Sequence, residues 1–436
     1  MLTNGEDREY KVDTYLNHFS LCRSLLLGLV YIVLWKRILR NDIMIRKLRF
    51  CWVMLLLVGK GYGQNEEVKI LPYTLPEVLK TMDGKGVGKV SEWEKKRRPE
   101  ILTLFENNIY GQMPKSFDHI SYTVVNEVAN AMDGKAHLKE VTISVEKANK
   151  TVAIHLVLFT PTNSKKSSPV FLLINNRGKE NTDATRKVKS EFWPAEMAID
   201  SGYAIAAFHV SDAAPDHKDT YQNGVLQLYP EQLVADSGMK AIGAWAWAAS
   251  RVMDYFKTDK AIDFSKVGIV GHSRGGKAAL WAGAQDERFA MVFSSCSGNT
   301  GAALARRQSG ETIKAINTTF PHWFNNNYKQ FNDNVNALPV DQHMLISLMA
   351  PRAVYTTSAT QDLWADPLGS YLSLIEAQKV YALYGKKSGL TPTPPPANTP
   401  IVHSILGYHN REGIHNMTAY DWGNFIRFAN FNYSRR

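Results

Sequence analysis

Six short, almost wholly apolar runs recur along the chain from residue 169 onward: PVFLLINN (169–176), YAIAAFHV (203–210), KVGIVGHS (266–273), FAMVFSSCS (289–297), RAVYTTSA (352–359) and PIVHSILGYH (400–409). A strand that is apolar on both sides has no solvent face, so such runs belong in a sheet covered above and below. Helical stretches lie between most of them, as over residues 234–257. Alternation of this kind predicts an α/β architecture: a mostly parallel central sheet with helices on both faces, a three-layer sandwich. Ligands of such sheets bind outside the carboxyl ends of the strands, which is where functional residues are to be sought.

The preceding region reads differently. Residues 75–113 place Trp93, Ile101, Leu104 and Phe105 near helical spacing and are expected to be helices. Residues 119–161 alternate polar and apolar side chains, with turns at Asp133-Gly134 and Asn149-Lys150, and are expected to be antiparallel strands. The proline-rich run TPTPPPANTP over 391–400 can be neither helix nor central strand and is expected as an extended surface connection.

The chain has 436 residues, 44% of them hydrophobic, which is ample for a packed core. Its formal net charge of +10 raises the question of a nucleic acid partner. However, residues 1–63 hold ten Lys or Arg against five Asp or Glu, half of that excess, and no nucleic acid partner is expected. This front segment has the pattern of targeting rather than fold. From Met44 it runs MIRKLRFCWVMLLLVGKGYGQ, a basic stretch, a short apolar stretch and then small residues, as in a signal peptide. The earlier apolar stretch over 24–35 leaves two readings, an upstream extension of a chain that starts at Met44 or an N-terminal membrane anchor, of which the first is favoured. Residues 64–436 are then expected to form one α/β domain with a helical and antiparallel N-terminal extension. Of the three cysteines, only Cys296 lies outside the front segment. A chain without an internal disulfide and with a signal sequence fits a periplasmic or secreted bacterial enzyme held together by its core.

Within the third apolar run the chain reads Gly271-His272-Ser273-Arg274-Gly275. A strand precedes Ser273, a helix beginning near Gly275 is expected after it, and glycines flank it two residues away on each side. This is the context of a nucleophile elbow, the signature of an α/β-hydrolase fold. Glycines leave room in a tight strand-to-helix turn, and the helix N-terminus behind it offers N–H groups to a developing oxyanion.

A serine nucleophile needs a base, and in this fold the order along the chain is serine, acid, histidine. His409 and His415 both follow the last apolar run. His415, in the loop before a final helix with Thr418 as its cap, is preferred as base, with His409 as a strand-end residue. Asp362 and Asp366 both follow the run over 352–359. Asp362 is nearer the strand end and is preferred as the acid, whereas Asp366, just before Pro367, is expected to cap the next helix. Arg274 supplies its backbone N–H, and in principle its guanidinium, to an oxyanion. Lys277 lies one turn further along the same helix face. Two cations beside a nucleophile suggest an acidic or oxygen-rich substrate and disfavour a lipase.

The strings GHSRGGKAALWAGAQDERFA, SGNTGAALARR, SGETI, NTTFPHWF, LPVDQH, APRAVYTTSATQDLWADP and EGIHNMTAYDW together resemble the bacterial glucuronoyl esterases of carbohydrate esterase family fifteen. The resemblance implies an α/β-hydrolase that cleaves esters between the carboxyl of glucuronic acid, or its 4-O-methyl form, on xylan and a lignin alcohol. It implies Ser273 as nucleophile, His415 as base and Arg274 as oxyanion donor. It further implies that Lys277 and Glu311 hydrogen-bond sugar hydroxyls and that Trp364 contacts the sugar ring. The pattern departs from many family members at Cys296, which stands where they carry a glutamate acid, so Asp362 is expected to take that role alone.

No metal or cofactor is expected, and the substrate is expected to be the partner of a monomeric mature chain without a stable membrane span. Two other readings are an acetylxylan or feruloyl-type esterase on the same scaffold and an inactive carbohydrate-binding homologue. The charged trio Arg274, Lys277 and Glu311 argues against the first, and the presence of Ser273, Asp362 and His415 against the second.

Overall fold

The computed structural model describes residues 72–434 apart from Lys165. The targeting segment expected over residues 1–63 lies outside the described residues. The alternating region folds into three antiparallel strands, β1 (His119–Ala131), β2 (Ala136–Lys147) and β3 (Lys150–Pro161). The first connection is a four-residue loop, Met132–Lys135, that contains the expected Asp133-Gly134, with φ of 56° and 84° there. The second is a two-residue hairpin at Ala148-Asn149, one residue before the expected Asn149-Lys150, with φ of 50° and 59°.

The apolar runs become β4 (Ser168–Asn175), β5 (Ala204–His209), β6 (Ile262–His272), β7 (Met291–Ser295), β8 (Ala353–Ala359) and β9 (Leu406–Arg411). All described strands join one sheet of order β1-β2-β3-β5-β4-β6-β7-β8-β9. Pairing is parallel from β5 to β9, and β3 meets β5 antiparallel.

Both faces of the parallel strands are buried because successive side chains enter different layers. On β4, Val170, Leu172 and Ile174 pack into one core, whereas Phe171 and Leu173 pack into another. The first core includes the helices α1 (Ala241–Phe256), α2 (Arg274–Gln285) and α3 (Pro367–Leu383); the second includes α4 (Ala419–Tyr433). This is the three-layer α/β-hydrolase sandwich that the runs predict.

Several boundaries differ from expectation. Residues 75–89 are irregular rather than helical, with an isolated bridge between Lys80 and Gly86. Gly84, Gly86 and Gly88 weaken a helix there by about 1 kcal/mol each. Helical segments then run without a break from Val90–Glu92 to Glu106–Tyr110. The helix expected from residue 234 starts at Ala241, because a tight turn brings Gly238 so close to the Gln232 carbonyl that a Cβ would lie 1.9 Å from its oxygen. The last strand is Leu406–Arg411, shorter at its start than the run over 400–409, since Ile401 makes only an isolated bridge to Tyr408. Residues 391–400 form an extended connection, as expected. No helix among the described residues is long and apolar enough to cross a membrane.

This topology sets the site. β6, β7, β8 and β9 are adjacent and parallel, so the residues just after them gather at one edge of the sheet: Ser273, Cys296, Asp362 and His415.

Candidate active site

Ser273 stands between β6 and α2 with φ 56° and ψ −127°. That region is disfavoured for a side chain with a Cβ, typically by about 1–3 kcal/mol, and is held only where the surroundings enforce it. Here the Ser273 N–H donates to the Ser295 carbonyl at 2.8 Å, and its own carbonyl accepts from Gly276 and Lys277 at 2.9 and 3.2 Å. Gly271 is sterically required, and Gly275 is closely packed. A Cβ on Gly271 would lie 2.0 Å from the Gly275 carbonyl oxygen, and one on Gly275 would lie 2.7 Å from Asn176 Oδ1. The helix starts at Arg274, one residue earlier than expected. The unpaired N–H groups and positive dipole end of α2 therefore lie directly behind the serine.

His415 is brought to the same place from the other end of the chain. Its Nδ1 is 2.6 Å from Asp362 Oδ2, and Asp362 is buried while the histidine ring is 41% exposed. The His415 ring packs on that of His272, the residue before Ser273, with centroids 4.6 Å apart. The loop is rigidly held: Arg411 donates to the carbonyls of Glu412, Ile414 and Asn416 and pairs with Asp421. Asp421 in turn forms a capping box with Thr418 at the start of α4. His409 has a different place. It is fully buried within β9 between Tyr355 and Asp421. Asp366 caps α3, accepting from the Gly369 N–H, and pairs with Arg307.

Cys296 follows β7 and is buried, with its thiol 3.7 Å from the Asn416 carbonyl. Burial, with Asp421 and Asp362 nearby, pushes this thiol up to about 12. It is therefore neutral at physiological pH. His272 is also neutral, driven well below the ordinary histidine range by burial and by the cationic side chains around it. His272 and Cys296, with His415, place their ligand atoms within 4.8 Å of one another, a grouping that the spacing of these residues in sequence does not reveal.

The Arg274 guanidinium is fixed rather than free. Its Nε pairs with Asp216, and its other arm donates to the Asn176 carbonyl at 3.1 Å. The second oxygen of Asp216 accepts from His322 Nε2 at 2.9 Å and from Trp323 Nε1 at 2.7 Å. Its carboxyl stays below the ordinary range: burial raises it, but His322, Arg274 and Trp323 together outweigh that. Asp216, His322 and Trp323 are functional candidates that the sequence reading missed. Asp216 lies 58 residues from Arg274 in a stretch without a motif.

Lys277 is buried, and its ammonium donates to the carbonyls of Ser297 and Asn299 and to Glu311 Oε2 at 2.7 Å. All three of its protons are thus engaged within the protein. Burial lowers its pKa and the Glu311 carboxylate partly offsets this. Glu311 is tied to Trp364, whose carbonyl accepts its N–H at 2.8 Å, and the Trp364 side chain is 58% exposed. The three residues expected at the sugar therefore form one connected group, with the lysine deepest and the indole at the surface.

A family model described as glucuronyl esterase, fungi, matches residues 143–385. A carbohydrate esterase, MZ0003, from an unknown prokaryotic organism is 39% identical over 85% of this chain and 92% of its own length. The 4-O-methyl-glucuronoyl methylesterase of Schizophyllum commune is 25% identical over 71% of this chain and 74% of its own. The solved glucuronoyl esterase from Solibacter usitatus superposes with a TM-score of 0.78 at 37% identity, covering 84% of this chain and 99% of that one. With matches of this extent, the chain belongs to the glucuronoyl esterases, carboxylic ester hydrolases acting on esters of glucuronic acid.

Proposed function

We propose that the uronic acid ester is cleaved through an acyl-enzyme on Ser273, with His415 as general base and acid and Asp362 as the carboxylate that orients it. Ser273 Oγ attacks the carboxyl carbon as His415 takes its proton. The oxyanion is held by the Arg274 backbone N–H and guanidinium at the N-terminus of α2. Collapse expels the alcohol, protonated by His415. Water, deprotonated by the same imidazole, then attacks the acyl carbon, releasing the uronic acid and restoring Ser273. The observation that carries this reading is the 2.6 Å contact of His415 with Asp362 beside a serine in a left-handed elbow.

The sugar lies over Trp364, with Glu311 accepting from a hydroxyl, since an exposed indole offers an apolar ring face and a carboxylate two acceptor oxygens. Lys277, its protons all engaged, acts by fixing Glu311. The ester is that between glucuronoxylan, 4-O-methylated or not, and a lignin alcohol. The enzyme is exported, with residues 1–63 as its targeting segment and residues 64–436 as one catalytic domain; the basic and apolar pattern from Met44 supports this.

The test is hydrolysis of benzyl glucuronate by the purified chain with Ser273→Ala as control, alongside p-nitrophenyl acetate. Turnover of the glucuronate that vanishes in the variant is expected. A clear preference for the acetate would overturn the substrate assignment, and an active Ser273→Ala protein would overturn the nucleophile.

A further inference from the structure

His272, Cys296 and His415 form a second constellation inside the active site, two members of which the esterase mechanism leaves unused. His272 is buried, 1% exposed, and neither of its ring nitrogens has a hydrogen-bond partner. Buried polar groups of a native protein are nearly always satisfied, so an imidazole with two unsatisfied nitrogens is poised for something other than packing. The buried Cys296 thiol lies 3.7 Å from the Asn416 carbonyl. One ligand atom from each of His272, Cys296 and His415 lies within 4.8 Å of the others.

From this geometry we infer that the active site binds one zinc-class divalent cation through His272, Cys296 and His415, and that binding switches the esterase off. Two imidazoles and a thiolate are the donors that zinc prefers, at about 2.0–2.3 Å, which puts neighbouring ligands of a tetrahedron roughly 3.5 Å apart. Closing from the present spacing takes side-chain shifts of about 1 Å, within reach of ordinary rotamer adjustment. The two histidines bind as neutral rings. The Cys296 thiol gives its proton to solvent as the sulfur–metal bond forms, and a water completes the fourth position.

Nearby positive charge does not forbid this. Arg274 is paired with Asp216, Arg411 with Asp421, and Asp362 adds a carboxylate beside His415, while Arg177, stacked over the Phe192 ring, is the remaining cation near His272. The 41% exposure of the His415 side chain provides the way in. Inhibition follows because the cation occupies the imidazole that must accept the Ser273 proton. This step rests on the assignment of His415 as base; the metal site itself does not.

The experiment titrates zinc chloride into the full-length enzyme during benzyl glucuronate hydrolysis and reverses it with a chelator, for the native chain and for Cys296→Ala and Cys296→Ser. The native enzyme is expected to lose activity and regain it on chelation. Both variants are expected to keep their basal activity and to need more than an order of magnitude more zinc. The same proteins are titrated with cadmium, reading the ultraviolet thiolate-to-metal absorption band. Cys22 and Cys51 are present in all three proteins, so only the part of the band that disappears in the variants reports Cys296. Equal inhibition of the three enzymes by zinc, or no difference in the band, would overturn the site. A Cys296-dependent band with undiminished turnover would uphold the site and overturn its link to catalysis, and with it the role of His415.

Discussion

Asp362 Oδ2 and His415 Nδ1 meet at 2.6 Å although 53 residues separate them in the chain. The carboxylate is buried and the imidazole is partly open, so Asp362 is placed to fix the tautomer that leaves the other nitrogen free to accept a proton. Asp362→Asn should lower kcat by about 10³–10⁴-fold, as loss of a tautomer-setting carboxylate does elsewhere. Cys296→Ala should leave turnover within a few-fold, because its neutral thiol contributes no charge. Steady-state rates on benzyl glucuronate decide between them; a Cys296→Ala enzyme that folds but is inactive would return the acid's role to that position.

In the proposed mechanism Asp216 holds the Arg274 guanidinium that serves the oxyanion. With Arg274, His322 and Trp323 all directed at one carboxylate, Asp216→Asn should misplace the guanidinium and cut kcat by roughly tenfold to a hundredfold, less than the about 10²–10³ expected for removing an oxyanion donor outright. KM should change little. In an Arg274→Ala background the same substitution should cost almost nothing, since it acts through that arginine. Additive losses in the double variant would show that Asp216 has a separate, structural role.

What could be read beforehand follows the range of the forces involved. Strand and helix patterning is local, so the parallel sheet, the hairpin turns and the elbow at Ser273 are legible in the chain. So is the chain order of the candidates Ser273, Asp362 and His415, because it is fixed by strand sequence in this fold. Glycine-dependent boundaries were harder: whether Gly238 ends a helix depends on the Gln232 carbonyl it approaches. Asp216 was not legible because its importance arises only when β5 and β6 bring it to Arg274. The unsatisfied rings of His272 were equally hidden, since an unmade hydrogen bond has no sequence signature.

The Lys277–Glu311 pair, with side chains 2% and 10% exposed, makes a prediction about stability separable from activity. Glu311→Ala leaves a buried ammonium without its counter-charge and should destabilise the fold by about 3–5 kcal/mol. The double variant Lys277→Met, Glu311→Leu removes both charges and should recover most of that stability without recovering hydrolysis. Urea denaturation checks the first outcome and the glucuronate assay the second. A double variant no more stable than Glu311→Ala would mean that the cost lies in packing rather than in the stranded charge.

Lys240, at the entrance to α1, offers a test by pH. Its ammonium is buried against the Pro321 carbonyl and Asn326 Oδ1 at 3.2 and 2.8 Å. Burial, with Lys329 nearby, brings its pKa down from 10.5 to about 8. Below pH 8 it is charged in both the folded and unfolded chain, and the folded state bears the full cost of the buried ammonium. Between pH 8 and 10.5 the unfolded chain holds the proton more often than the folded one, so this group's contribution to stability rises with pH across that window and levels off above it. Lys240→Met removes the titration. The variant should therefore be more stable than the native chain at pH 7, by about 1–3 kcal/mol, and the advantage should shrink steadily from pH 8 to pH 10. Comparing urea midpoints of the two proteins across that range cancels every other titrating group, and a difference that stays constant with pH would show that the Lys240 ammonium is not destabilised by its burial.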